Sequence, residues 1–279
     1  MALDINSLKV RAVSGIVYVA LLVTALLLSS DVLFLLLFAF MGGSMIIEFN
    51  RLTLVNRLHP FRIVLDIVAT IWGVYATSRY VCGAESIQIF IPYFLYIAYA
   101  FSRTIFADLA QGTRTVGNVL TAQVYIALPL FITTAVSYQP DGSFDGTFAL
   151  LVFVLIWLND TGAYLVGSTL GKHKLYPQVS PKKSVEGLIG GFFFTLLFSL
   201  FIPSILPSLE RFDLFTAPLL GLVVAVMGTL GDFFESALKR KAGVKDSGKI
   251  IPGHGGVLDR LDSYLFALPM ASMLYFWLY

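Results

Sequence analysis

Apolar residues in this chain come in successive runs of roughly 20, the length of helix that crosses about 30 Å of hydrocarbon. Residues 12–30, 32–47 and 214–231 carry no charged side chain at all. Of 279 residues, 57% are hydrophobic and 13% charged, against roughly 25% charged in an ordinary soluble domain. One soluble core could not enclose that much apolar surface. An open strand edge cannot be satisfied in lipid, and no alternating barrel pattern is present, so the runs read as helices. The expected fold class is an all-α, polytopic integral membrane protein.

Nine spans fit the hydropathy, at about 10–30, 31–49, 62–82, 87–107, 116–137, 147–169, 184–206, 213–238 and 256–279. The first run is too long for a signal-peptide core and no small-x-small cleavage site follows it, so it reads as a retained span. Lys and Arg set the orientation. With the N-terminus in the cytoplasm, the tail and the even-numbered connections there hold sixteen of the nineteen basic residues. Tyr279 then ends outside. Spans 1–5 (residues 1–140) form an N-terminal membrane region, and 141–279 a catalytic region with two basic cytoplasmic loops, 170–183 and 239–255. Both loops are rich in Gly, Pro, Ser and Lys, and read as irregular. The single cysteine, Cys82, excludes an internal disulfide or a cysteine-rich metal centre.

Ionisable residues inside a span are functional candidates by default. Here Asp160 falls in the sixth span, Asp232 and Glu235 in the eighth, and Asp259, Arg260 and Asp262 in the ninth. Asp232/Glu235 and Asp259/Asp262 are each three residues apart, hence on one helical face. At ~1.5 Å per residue, Asp232 lies about 10 Å in from Lys239, and Asp262 at a similar depth. All-oxygen carboxylate clusters suit a hard cation such as Mg²⁺, which binds phosphates beside one or two carboxylates. Asp160, Asp232, Asp259 and Asp262 are therefore the candidate metal ligands. The alternative is structural: Asp259 suits a first helical turn, and Asp259–Arg260 or Glu235–Lys239 would make simple ion pairs. Glu48 and Asp66 have no partner that the sequence names.

Pro252-Gly253-His254-Gly255-Gly256 precedes the last span. Successive glycine N–H groups can form an anion nest, and a helix N-terminus follows directly. With Lys239, Arg240, Lys245 and Lys249 nearby, polyphosphate is the expected occupant; a glycine turn beside ordinary cytoplasmic charges is the alternative. In the other loop, Ser180-Pro181-Lys182-Lys183-Ser184, Ser184 is a good N-cap and Glu186 suits the first turn of the next helix. Capping does not explain Lys182 and Lys183, which read as a pair aimed at phosphate. Gly167–His173 imitates a P-loop with the wrong spacing. Asn159-Asp160-Thr161 matches a glycosylation sequon but lies inside a span.

Residues 236–262 read Ser-Ala-Leu-Lys239-Arg240, four residues, Lys245-Asp246-Ser-Gly248, three residues, Pro252-Gly-His254-Gly-Gly256, two residues, Asp259-Arg260-Leu-Asp262. This resembles the signature of the phosphatidate cytidylyltransferases at every fixed position. Ser180-Pro-Lys-Lys-Ser-x-Glu-Gly and the Asp160 segment also look like family features. The resemblance is strong over about 155–265 and rests on hydropathy alone before that. It implies Mg²⁺-dependent transfer of CMP from CTP to phosphatidate, yielding CDP-diacylglycerol and pyrophosphate for phospholipid synthesis. The implied catalytic residues are Asp232, Asp259, Asp262, Lys245 and Asp246. The implied substrate contacts are Ser180, Lys182, Lys183, Ser184, Lys239, Arg240, Lys249, Gly253, His254, Gly255, Gly256 and Arg260. A phosphate monoester with a second pKa near ~6 is largely dianionic at neutral pH, and can attack without a dedicated base. Positioning and charge neutralisation are what an enzyme must add.

The expected partners are CTP, phosphatidate and membrane lipid, without nucleic acid, and with a homodimer left open. The expected location is the inner (cytoplasmic) membrane. A transporter would favour repeats and midplane acids, which this chain lacks. Another Mg²⁺-dependent membrane lipid-phosphate transferase would lack the Lys-Asp…His-Gly-Gly block.

Overall fold

The computed structural model describes residues 5–28, 31–53, 60–106 and 109–279; Arg57, one of the sixteen basic residues that the charge pattern assigns to the cytoplasm, lies outside them. The chain divides into two compact units. The first comprises Met1–Gly146 with Ala242–Arg260, and the second Thr147–Lys241 with Leu261–Tyr279. A contiguous division at 140 was expected; the signature loop instead belongs with the N-terminal helices, because its contacts run to residues 14 and 48.

The first unit holds α1 (Ile5–Leu27), α2 (Asp31–Thr53), α3 (Pro60–Val81), α4 (Ile91–Phe106), α5 (Leu109–Ala122) and α6 (Leu128–Ser137). A 3₁₀ turn, Ile87–Phe90, leads into α4, and a π-turn, Gln123–Ala127, joins α5 to α6 as one span. Helices in lipid gain little from apolar burial against one another and instead approach closely at small residues. A Cβ on Gly42 would stand 2.8 Å from Leu130 Cδ1, and one on Gly73 would enter the Phe131 ring. Phe34, Phe38 and Phe49 are buried on α2, while Val32, Leu36 and Phe40 on the same helix face outward. An apolar outer surface of this kind suits a bilayer rather than water.

The second unit holds α7 (Thr147–Leu170), a short antiparallel hairpin of β1 (Lys174–Tyr176) and β2 (Ser180–Ser184), α8 (Val185–Ser199), the single turn α9 (Ile202–Ile205), α10 (Thr216–Lys241) and most of α11 (Leu258–Leu278). Gly162 and Gly190 let α7 and α8 touch backbone to backbone: a Cβ on Gly162 would stand 2.9 Å from the Gly190 carbonyl oxygen. Phe153 and Tyr264 stack at 3.8 Å between ring centroids, fixing α7 against α11. Among the described residues the regular elements are helices apart from the hairpin, which replaces the irregular loop expected at 170–183.

Among the described residues, seven helices are long and apolar enough to cross a membrane, so the protein is a multi-pass membrane protein. Nine spans were expected. Of the other two, Val185–Ser199 falls short of the ~20 residues a full crossing needs, and Ala12–Leu27 is the apolar part of the 23-residue helix α1.

Candidate functional site

In the second unit, β2 runs into α8 through the Ser184 cap, whose hydroxyl accepts the Gly187 N–H at 3.1 Å as the sequence predicts. Glu186 accepts the backbone N–H groups of Lys172 and His173 at 3.1 and 3.2 Å and meets His173 Nδ1 at 2.6 Å. That carboxylate fastens the hairpin to the start of α8. Arg240 Nε donates to the Val179 carbonyl at 3.3 Å, holding the hairpin turn to the end of α10.

Fixed in this way, Lys183 pairs with Asp232 at 2.5 Å, and its ammonium lies 4.6 Å from the centroid of the Phe233 ring. The other Asp232 oxygen accepts the Ser236 hydroxyl at 3.1 Å. Asp232 thus has a cation partner that its own neighbourhood in sequence does not reveal. A Cβ on Gly231 would stand 2.4 Å from the Asp262 carbonyl oxygen, so α10 and α11 cross in backbone contact beside Asp232. Asp262 is within electrostatic range of Asp232, Lys239 and Asp160. Lys239 is buried and pairs with Glu235 one turn earlier, the ion pair weighed as the alternative above. A cavity of about 390 Å³ opens beside the hairpin, with Asn159, Asp160, Lys182, Lys183, Ser184 and Thr229 in its wall.

The signature loop lies in the first unit and uses its amides differently from the expectation. Asp259 accepts the N–H groups of Ser247 and Gly256 at 2.9 and 2.8 Å, and the Ser247 hydroxyl at 3.0 Å. Glu48 accepts the N–H groups of Val257 and Leu258 at 3.2 and 2.8 Å, and the Ser247 hydroxyl at 3.1 Å. The N-terminus of α11 is therefore held by the chain's own carboxylates, and Gly256 offers its amide to Asp259. Asp259, grouped above with the metal ligands, has one oxygen committed to three loop donors. Gly253 and Gly255 take φ of +73° and +89°, the left-handed region that glycine enters without strain. His254 docks on α1: Ser14 donates to the Pro252 carbonyl at 2.7 Å and lies 2.8 Å from His254 Nδ1. Ser14 has one proton to give, so Nδ1 must be the donor in the second contact. Lys245, Asp246, Lys249 and Arg260 are exposed.

Against known families, residues 9–278 match the description Cytidylyltransferase family. The chain belongs to the cytidylyltransferase family. Similar proteins include the phosphatidate cytidylyltransferases of Staphylococcus aureus (strain COL), 49% identical, and of Staphylococcus haemolyticus (strain JCSC1435), 46% identical, each over 129 residues. Each of those alignments covers 46% of this chain and 48% of the relative; the chain spans about half the length of the curated relatives it matches.

For this member of the cytidylyltransferase family, the resemblance implies a divalent cation. Among the described residues, no three acidic, histidine or cysteine side chains converge as a ready shell. A Mg²⁺ site needs less protein than that, because substrate phosphates and water fill most positions. Asp232 and Asp262 on crossing helices, with Asp160 in range, offer the hard oxygen donors that such an ion takes, so the residues fit. Sequence reasoning left three further polar positions unassigned. Asn159, dismissed as a false sequon, lines the cavity with its Oδ1 buried and without a hydrogen-bond partner among the described residues. Asp66 accepts from Tyr96 and Asn50, and Asn50 in turn binds Arg62 at 2.8 Å and Asn118 at 3.0 Å. Glu48 is the third. Each was visible as a polar residue in an apolar run, but its partners lie far off in sequence.

Proposed function

We propose that this chain transfers CMP from CTP to phosphatidate, forming CDP-diacylglycerol and pyrophosphate in the inner membrane, with its basic loops in the cytoplasm. The observation that supports this most is Lys183, which shares a cavity wall with Asp160 and pairs with Asp232, itself within electrostatic range of Asp262, in a chain with the full cytidylyltransferase signature. Lys182 and Lys183 would bind phosphate oxygens, held in place by the Ser184 cap and the Glu186 tether. Substrate phosphate would compete with Asp232 for Lys183, freeing that carboxylate. Asp232 and Asp262, with Asp160, would hold Mg²⁺, which supplies neutralisation of charge on the transferred phosphate. Ser180 and Ser184 offer hydroxyls beside the lysines. On the signature alone, Lys245, Lys249 and Arg260 are proposed as contacts to the nucleotide phosphates, and Asp246 as part of the catalytic set. The dianionic phosphatidate supplies its own nucleophile, so chain residues orient it rather than deprotonate it. The test is purified protein in detergent with labelled CTP, phosphatidate and Mg²⁺. A CTP-dependent, lipid-soluble product is expected; no such product over a Mg²⁺ titration would remove the proposal.

A further inference from the structure

We infer that Glu48, on α2, is a positioning residue for the signature loop, standing where a bound anion would otherwise sit at the start of α11. Its side chain is fully buried, and a carboxylate in that state is costly unless donors surround it. Here they do: Val257 N–H, Leu258 N–H and the Ser247 hydroxyl all point at it. The first amides of a helix attract negative charge, so the chain supplies that charge itself, from a residue 210 positions away. The loop is shaped around this side chain. A Cβ on Gly248 would stand 2.2 Å from one Glu48 oxygen, and one on Gly256 2.4 Å from the other. At Gly248 and Gly256 only a hydrogen leaves room for the Glu48 carboxylate. Asp259 grips the same Ser247 from the loop's own side, and Ser14 holds Pro252 and His254. Between these anchors, Lys245 and Lys249 project outward. Glu48 therefore acts on nucleotide through the loop and touches no substrate itself. This rests on the function proposed above.

Glu48→Gln keeps shape and one acceptor but turns an amide NH₂ toward either the Val257 N–H or the Leu258 N–H and Ser247 hydroxyl, so the loop should loosen while the helices stay packed. Wild type, Glu48→Gln and Ser247→Ala are compared as full-length protein in detergent. Tryptic cleavage after Lys245 and Lys249 is read by mass spectrometry, alongside KM for CTP, KM for phosphatidate and the thermal midpoint. Glu48→Gln should be cut in the loop at least about tenfold faster, with KM for CTP raised about tenfold or more and KM for phosphatidate unchanged. Ser247→Ala should shift both in the same direction, and it decides the matter alone if Glu48→Gln does not fold. Wild-type loop protection in both variants would overturn the inference. So would activity that falls only with the folded fraction, at unchanged KM for CTP. If wild type itself shows no CTP turnover, the proposed function fails, and the cleavage rates still decide whether Glu48 holds the loop.

Discussion

Asp232 and Asp262 differ in what surrounds them, and that difference separates their expected behaviour. Both are legible from sequence as carboxylates inside apolar helices, but their partners are not. Asp232 pairs with Lys183, which comes from a strand some fifty residues earlier. Asp262 lies within electrostatic range of Asp232 and Asp160, which carry like charge. Asp→Asn at either position removes charge that would bind metal, and turnover should fall about 10³-fold or more, as loss of several kcal/mol of charge stabilisation implies. Stability should move in opposite senses. Asp262→Asn relieves repulsion, and its thermal midpoint should equal or exceed wild type. Asp232→Asn leaves Lys183 without its carboxylate; both side chains are about one-third exposed, at 31% each, so the loss should stay within ~1 kcal/mol. Thermal unfolding and the CTP assay across a Mg²⁺ titration read the two effects apart. Near-normal turnover of both variants at limiting Mg²⁺ would sink the metal assignment, and a large loss of stability in Asp262→Asn would make that residue structural.

At the level of elements, the apolar helices were legible because span length and uninterrupted hydropathy leave few alternatives in lipid. The 174–184 hairpin was not. Its strands are three and five residues long, and neither Lys-Leu-Tyr nor Ser-Pro-Lys-Lys-Ser has the alternating apolar pattern that marks a strand. It exists because tertiary contacts close it: Glu186 takes the amides of Lys172 and His173, and Arg240 takes the Val179 carbonyl. Glu186→Ala should therefore release the hairpin without unfolding α8, since the Ser184 cap remains. Faster tryptic cleavage at Lys172 and Lys174 is expected, because the amides of Lys172 and His173 lose the acceptor that ties them to α8. Unchanged cleavage would mean that the strands hold themselves. The helix pair beneath is set by glycine. A Cβ on Gly190 would stand 2.4 Å from the Val166 side chain, and β-branched Val166 has little rotamer freedom in a helix with which to yield. Gly190→Val should cost ~1–3 kcal/mol by overpacking and lower the detergent unfolding midpoint, whereas Val at exposed Ile189 should be nearly neutral. Equal midpoints for the two would refute close α7–α8 packing.

For the whole molecule, hydropathy marks nine apolar stretches; among the described residues seven helices are long and apolar enough to cross, 12–27 is the apolar part of the 23-residue α1, and 185–199 is shorter than a crossing needs. Nonlocal ties explain why one compact unit draws on both sides of a division at 140: the stretch 242–260 is bound to residues 14 and 48. Orientation remains a matter of charge, and it makes a direct prediction. Lys and Arg concentrate in the tail and the even-numbered connections, so 139–146 should lie outside and 242–250 in the cytoplasm. Ser247 would be a poor reporter, being buried and hydrogen-bonded. Val244 is 41% exposed, and Ser143, in the loop after α6, is also exposed. In a Cys82→Ser background, Ser143→Cys should react with an impermeant maleimide from the outer face of sealed right-side-out vesicles. Val244→Cys should react only after permeabilisation. Since 185–199 is short, this pair also tests it as a crossing: residues 143 and 244 are separated by α7, α8 and α10, and they fall on opposite sides only if an odd number of those helices cross. Labelling of both positions from one side would mean that α8 does not span, and outer-face labelling of position 244 would deny soluble CTP its route to the signature loop.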